Sequence, residues 1–248
     1  MNPFYFGTSE RRLFGIYEPA RSAGGPVRAA LLCNPWGHEY LHAHRSLRHL
    51  GAKLSAAGHH TLRFDYFGTG DSGGESEEGD LAGWESDTAT ALAELRDIAG
   101  CSRVALIGLR LGANVAARVA ARHAGDLDAL LLWDPIRDVD QYLRSLLQGQ
   151  ARDKRAGVSA DGLNGFVLPL RVQREIAAVD VGSVADSLPQ RTLVITTDGS
   201  DATEAHREGL PAALATECLS APAAWAESAT ITGAVPTRVI QRIVEWLA

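Results

Sequence analysis

The stretch RVALIGLRLGANVAAR, from Arg103 to Arg118, constrains the fold of this chain more than any other. An apolar run reaches Gly108, the chain turns, and a helix of small residues follows. Gly108 and Gly112 bracket the turn, where the lack of a Cβ permits a sharp change of direction and close packing of helix on sheet. The tip residue between them is Arg110.

The rest of the chain repeats this alternation. FYF and LFGIY flank GTSER, the pattern of an opening β-hairpin. VRAALLC ends at an NPWG turn and precedes a helical stretch from about His42 to Ala57. TLRFD runs into the Gly-rich loop YFGTGDSGG, and a helix is expected from Leu81 to Ile98. After the Arg103–Arg118 unit, with its helix over Leu111–Ala124, come LDALLLWD, RTLVITTD, a helical stretch after Asp201 and an amphipathic C-terminal helix with Pro236 near its first turn. Short apolar strands alternating with helices predict an α/β domain, its mostly parallel sheet covered on both faces. Residues 136–190 break the rhythm, with helical patterns and no clear strand. They are expected to form a cap over the C-terminal edge of the sheet, where open α/β sheets bind ligands. The 248 residues fit one domain, and 46% hydrophobic residues suffice for its core.

The order of hairpin, NPWG turn, DYFGTGDSGG loop, strand–turn–helix, cap and C-terminal helix resembles the α/β-hydrolase superfamily, in its serine aminopeptidase-like branch. More narrowly, NPWGHEYLHAHR, FGTGDSGG and GLRLGA resemble the second of two hydrolase-like families associated with the exosortase A system. That resemblance aligns Glu39, Arg45, Asp65, Gly68, Gly70, Asp71, Ser72, Gly108, Arg110 and Gly112 with its motifs, and it implies that an elbow arginine belongs to the pattern. It also implies an α/β-hydrolase fold with a helical cap.

In such enzymes the elbow reads G-x-S-x-G and carries the nucleophile. Here it reads Gly108-Leu109-Arg110-Leu111-Gly112. Asp198 and Asp134 are available as acids after two strands, but Glu208 to Ala248 contains no histidine, and Trp225 and Glu227 occupy the region after the last strand. Nucleophile and base are both missing from their usual places, which argues against a Ser-His-Asp mechanism. Cys33 reads as a buried strand cysteine, Ser72 as a turn residue, and Cys101 lies away from the expected site.

An arginine at the elbow adds a permanent cation with five donors to a helix N-terminus, whose N–H groups also favour negative charge. Arg110 is therefore expected to hold an anion such as a carboxylate, phosphate or oxyanion. The plainer alternative is an arginine folded into an ion pair that holds loops together. Glu39, in the turn after AALLC, is expected beside the elbow, either as the static partner of Arg110 or as a general base tuned by it. His38 is the other candidate proton carrier. Trp36, Gly37, Tyr66, Leu109, Leu111 and Asp134 are expected to contact the substrate, with Asp65 and Asp71 holding loops. HEYLH, from His38 to His42, satisfies a zinc-protease pattern, yet NPWG immediately before it places His38 and Glu39 ahead of a stable helix, so no metal is expected.

A net charge of −6 argues against nucleic acid or an anionic membrane as partner. Three widely spaced cysteines suggest no disulfide framework, and MNPFYFGTSERR lacks the features of a signal peptide. The expectation is a cytoplasmic protein without cofactor that acts on a small or carrier-bound acyl substrate by hydrolysis, acyl transfer, or a lyase or cyclisation step. The alternative is a non-catalytic pseudo-hydrolase that binds a ligand or partner.

Overall fold

The apolar runs pair into one eight-stranded sheet with helices on both faces. The computed structural model describes residues 1–21, 25–145, 162–163, 166–167, 170–177, 181–197, 214–226 and 234–248. In chain order the elements are β1 (Asn2–Gly7), β2 (Arg12–Glu18), β3 (Arg28–Cys33), α1 (His38–Ala56), β4 (His59–Phe64), α2 (Leu81–Ala99), β5 (Val104–Leu109), α3 (Leu111–Arg122) and β6 (Leu127–Trp133). A helix α4 is described over residues 139–145. It is followed by β7 (Gly162–Leu163), β8 (Phe166–Val167), α5 (Leu170–Ala177), β9 (Thr192–Thr197), β10 (Ala215–Leu219) and α6 (Thr237–Leu247). The strand order is β1-β2-β4-β3-β5-β6-β9-β10. The β1–β2 and β2–β4 pairs are antiparallel, and the remaining pairs are parallel.

Alternation along each strand divides the core in two. On one face, Leu31, Cys33, Leu106, Leu130 and Leu132 pack with Leu92 and Leu95 of α2 and Val115 and Val119 of α3. On the other, Ala30, Leu32, Ile107, Leu109, Leu131 and Trp133 pack with Leu47, Leu50 and Leu54 of α1 and Val239, Ile240 and Ile243 of α6. β5 and, beyond the exposed Asp128, β6 are buried on both faces, which is why they read as apolar runs. Asp80 caps α2 by accepting from Gly83 N at 2.6 Å, and Gly100 ends it in a left-handed conformation.

The elbow has the tight packing its glycines imply. A Cβ on Gly108 would lie 2.3 Å from Gly112 O, and one on Gly112 would lie 2.3 Å from Asn34 O and 2.5 Å from Cys33 O. The helix thus seats directly against the end of β3, which brings the β3–α1 turn to the elbow.

Three details differ from the sequence reading. α1 begins at His38, not His42, because Gly37 makes the turn alone at φ 63° and the helix starts at once. HEYLH is therefore helical throughout, contrary to the expected place of His38 and Glu39 in the turn. Strand β10 was not anticipated, since ATECL is a half-exposed edge strand without a clear pattern. Within 136–190, β7 and β8 pair over two residues each, too briefly to leave a periodic signal. The helical stretch expected after Asp201, together with Asp198 and Glu227, lies outside the described residues.

Candidate active site

Arg110 holds the conformation of an elbow residue. Its φ of 56° is left-handed, a strained position for a side chain with a Cβ. The backbone around it is pinned by Arg110 N donating to Trp133 O at 3.0 Å and by Ala113 N donating to Arg110 O at 2.8 Å. From there the side chain reaches the first turn of α1. Nε donates to Glu39 Oε1 at 2.9 Å, and Nη1 donates to Asp134 O at 3.3 Å. The Trp225 ring centre stands 3.8 Å from the guanidinium carbon, and that of Tyr142, on α4, stands 5.5 Å away. Only 14% of the Arg110 side chain is exposed and 9% of Glu39.

The pair is half satisfied. Among the described residues, Glu39 Oε2 is buried with no hydrogen-bond partner, and so is the Tyr142 hydroxyl. Burial pushes the Glu39 pKa above the usual carboxylate range, Arg110 only partly opposes this, and Asp134 adds to it. Burial alone would lower the Arg110 pKa, but Glu39, Tyr142 and Asp134 carry it upward, so the guanidinium remains charged. Tyr142 is pushed well above the ordinary phenol range by burial and by Glu39, against the pull of Arg110.

Asp134 sits at the end of β6 with φ 44°. Its Oδ1 accepts from Thr197 N at 2.7 Å, and its Oδ2 accepts from Thr197 Oγ1 at 2.7 Å and Trp225 Nε1 at 3.0 Å. Its carboxylate is thus used inside the protein, where it fixes the indole that covers Arg110. In the sequence Trp225 marks only the region after the last strand, where a triad histidine is missing. Tyr142 carried no signal there, since a lone tyrosine in an irregular segment has none.

The other expected contacts divide. Trp36, Gly37 and Tyr66 line a cavity of about 320 Å³ with Asn34, Tyr40, Leu41 and residues of the 68–76 loop. Arg110 and Glu39 are not among its lining residues. Leu109 and Leu111 are buried side chains in opposite cores. His38 lies one turn from His42, with ring centres 5.6 Å apart, and the next residue, Glu39, meets Arg110. Among the described residues no group of three or more His, Cys, Asp or Glu could hold a metal ion.

Asp65 organises the neighbouring loop. It accepts from Tyr40 Oη at 2.8 Å and Asp71 N at 3.0 Å, while a Cβ on Gly70 would lie 2.2 Å from its Oδ2. Ser72 Oγ donates to Asp65 O at 2.6 Å and accepts from Phe14 N at 2.8 Å, the turn role expected of it. Cys33 is fully buried, and burial raises its thiol pKa to about 12, far from a reactive thiolate. Arg45 is exposed on α1.

A family model described as serine aminopeptidase, S33, matches residues 37–174. No curated protein matches the chain. Among solved structures, Est1E from Butyrivibrio proteoclasticus with ferulic acid bound is similar at 14% identity, with 98% of this chain and 96% of that one covered and a TM-score of 0.67. A proline iminopeptidase from Mycobacterium smegmatis is similar at 13% identity over 99% of this chain and 97% of that one, with a TM-score of 0.65. The mouse alpha/beta hydrolase domain-containing protein 10 is similar at 16% identity over 99% and 98%, with a TM-score of 0.57. At these identities the likeness is one of fold.

Proposed function

The chain belongs to the serine aminopeptidase S33 family, and on that premise we propose that it acts on a small acyl or carboxyl-bearing substrate, free or carrier-bound, without a serine nucleophile. Arg110 and the N–H groups at the start of α3 hold the substrate's anion or developing oxyanion. Glu39 moves the proton, since its raised pKa lets a carboxyl exchange protons closer to neutral pH than an exposed one would. Residues 136–190 cap the site, and the step is hydrolysis by activated water, acyl transfer, or a lyase or cyclisation reaction in the cytoplasm.

One observation carries this reading: the elbow ion pair is buried, and one carboxylate oxygen has no partner among the described residues. A pair present only to tie loops together would be expected to satisfy both oxygens. A buried carboxylate oxygen without a donor suits a group that meets water or substrate.

A second reading, a pseudo-hydrolase that binds without turnover, is favoured by a cavity whose lining includes neither Arg110 nor Glu39. Hydrolysis of acyl thioesters and p-nitrophenyl esters separates the two. Turnover that falls at least about 100-fold in both Arg110→Ser and Glu39→Ala, with the fold intact, is expected for the catalyst. Absence of wild-type turnover would favour the binder, and turnover indifferent to both changes would take the chemistry away from Arg110 and Glu39.

A further inference from the structure

Glu39 Oε2 and the Tyr142 hydroxyl share a condition that other buried atoms such as Glu18 Oε1 and Trp133 Nε1 also show, but it is the Glu39 and Tyr142 side chains that meet the Arg110 guanidinium. Both belong to residues more than nine-tenths buried, at 7% and 3% exposure. Neither atom has a hydrogen-bond partner among the described residues. Native structures rarely leave such atoms unsatisfied, because a buried polar group without a partner forfeits its bonds to water and gains nothing in return. One of the two is an acceptor when ionised and the other is a donor. Both lie against the same cation: Glu39 bonds Arg110 through its other oxygen, and the Tyr142 ring centre stands 5.5 Å from the guanidinium carbon.

We infer that Tyr142 is the third group of the elbow site, its hydroxyl donating a hydrogen bond to an oxygen of the small carboxylate or acyl carbonyl that Arg110 holds. The inference rests on the reading of the elbow as an anion site. Burial keeps the phenol protonated, so it stays a donor through the neutral range. Glu39 Oε2 faces the complementary need and accepts from the attacking water, a substrate hydroxyl, or the shared proton of an acid. An acceptor oxygen of the ligand thus meets two donors, Arg110 and Tyr142, while a proton on or beside it meets Glu39. Tyr142 comes from α4, so the 136–190 segment supplies a reacting contact as well as cover. A ligand lacking an acceptor oxygen would leave the hydroxyl unsatisfied, which favours carboxylates and carbonyls over ammonium or purely apolar groups.

Butyrate serves as the probe, titrated calorimetrically into the full-length wild type, Tyr142→Phe, Arg110→Met and Arg110→Lys, with melting curves recorded in its absence. Tyr142→Phe removes only the hydroxyl. It is expected to weaken butyrate binding about tenfold, the equivalent of one lost hydrogen bond. Its melting temperature should stay the same or rise, since the deleted atom has no hydrogen-bond partner among the described residues. Equal butyrate affinity in wild type and Tyr142→Phe, alongside a loss in Arg110→Met, would remove Tyr142 from the site and leave the anion reading standing. A lower melting temperature for Tyr142→Phe would mean that the hydroxyl is already bonded inside the protein, and would also overturn the inference. Wild-type binding that is absent, or that Arg110→Met and Arg110→Lys do not weaken, would sink the anion reading itself, and the role of Tyr142 with it.

Discussion

Asp87 and Glu39 are both buried carboxylates that meet an arginine, yet they are satisfied in different ways. Asp87, on α2, accepts from Arg11 Nε at 2.5 Å with one oxygen, and from Arg11 Nη2 at 3.0 Å and Phe67 N at 2.9 Å with the other. Two residues earlier on the same helix, Glu85 accepts from Arg118 with one oxygen and from Arg122 with the other. These groups lash the opening hairpin to α2 and α2 to α3, and every oxygen is used. Glu39 uses one oxygen and leaves the other without a partner among the described residues. Burial raises the pKa of both Asp87 and Glu39, so titration alone would not tell them apart. The difference lies in what each does with its second oxygen. A closed pair holds structure, and an open one is available for chemistry.

The largest effect should come from the closed pair. Asp87→Ala strands Arg11 and the Phe67 N–H together and is expected to cost about 3 kcal/mol in urea unfolding. Turnover per folded molecule should not change. A loss of turnover without a loss of stability would erase the contrast.

Glu39→Gln should behave in the opposite way. Turnover is expected to fall about 100-fold, equivalent to about 2.7 kcal/mol in the barrier. Stability should fall by less than in Asp87→Ala, because the amide oxygen can still accept from Arg110 Nε and fewer buried donors are stranded. A drop in stability as large as that of Asp87→Ala would make the elbow pair a brace like the other.

A subtler expectation concerns pH. Glu39 has a raised pKa in the folded state, so between its unfolded and folded values the native protein binds more protons than the unfolded chain. Its contribution is therefore most favourable below that window and diminishes as pH rises through it. Arg110, Asp134 and Tyr142 face it from the elbow, the end of β6 and α4, and the pKa values of all three are raised as well. The difference between wild type and Glu39→Gln isolates Glu39, with a slope of at most about 1.4 kcal/mol per pH unit. A pH-independent difference would contradict the assignment.

The smallest effect belongs to Thr197→Val, which deletes one of the hydrogen bonds that hold Asp134. About 1 kcal/mol of stability is expected to be lost. Because Asp134 fixes Trp225 over Arg110, butyrate affinity should weaken by a few-fold at most. A far larger loss of affinity would give Asp134 a direct part in binding.

The same contrast separates what could be read from the sequence from what could not. Double burial makes β5 and, beyond Asp128, β6 apolar runs, and the two elbow glycines announce a close approach, so sheet, elbow and the Glu39–Arg110 meeting were legible. The start of α1 was not, because one glycine at positive φ takes up a turn that usually needs several residues. Strand β10 escaped because an edge strand need not alternate cleanly. Asp134 was placed against the substrate, yet its carboxylate is turned to Thr197 and Trp225, a pairing between segments that no local pattern encodes. Tyr142 escaped for the same reason: its condition exists only once three distant segments have met.

That meeting has a consequence for how the chain folds. The Glu39–Arg110 bond joins residues 71 apart in the chain, and the Trp225–Asp134 bond joins residues 91 apart. Neither can form until β3, β5, β6 and β9 stand in register, so closing these long loops is an entropic cost met late. Helices such as α2 and α3 can form from contacts close in sequence and much sooner. During refolding, recovery of butyrate binding should therefore trail recovery of far-ultraviolet helical signal, and the elbow becomes a clock for the last step of assembly.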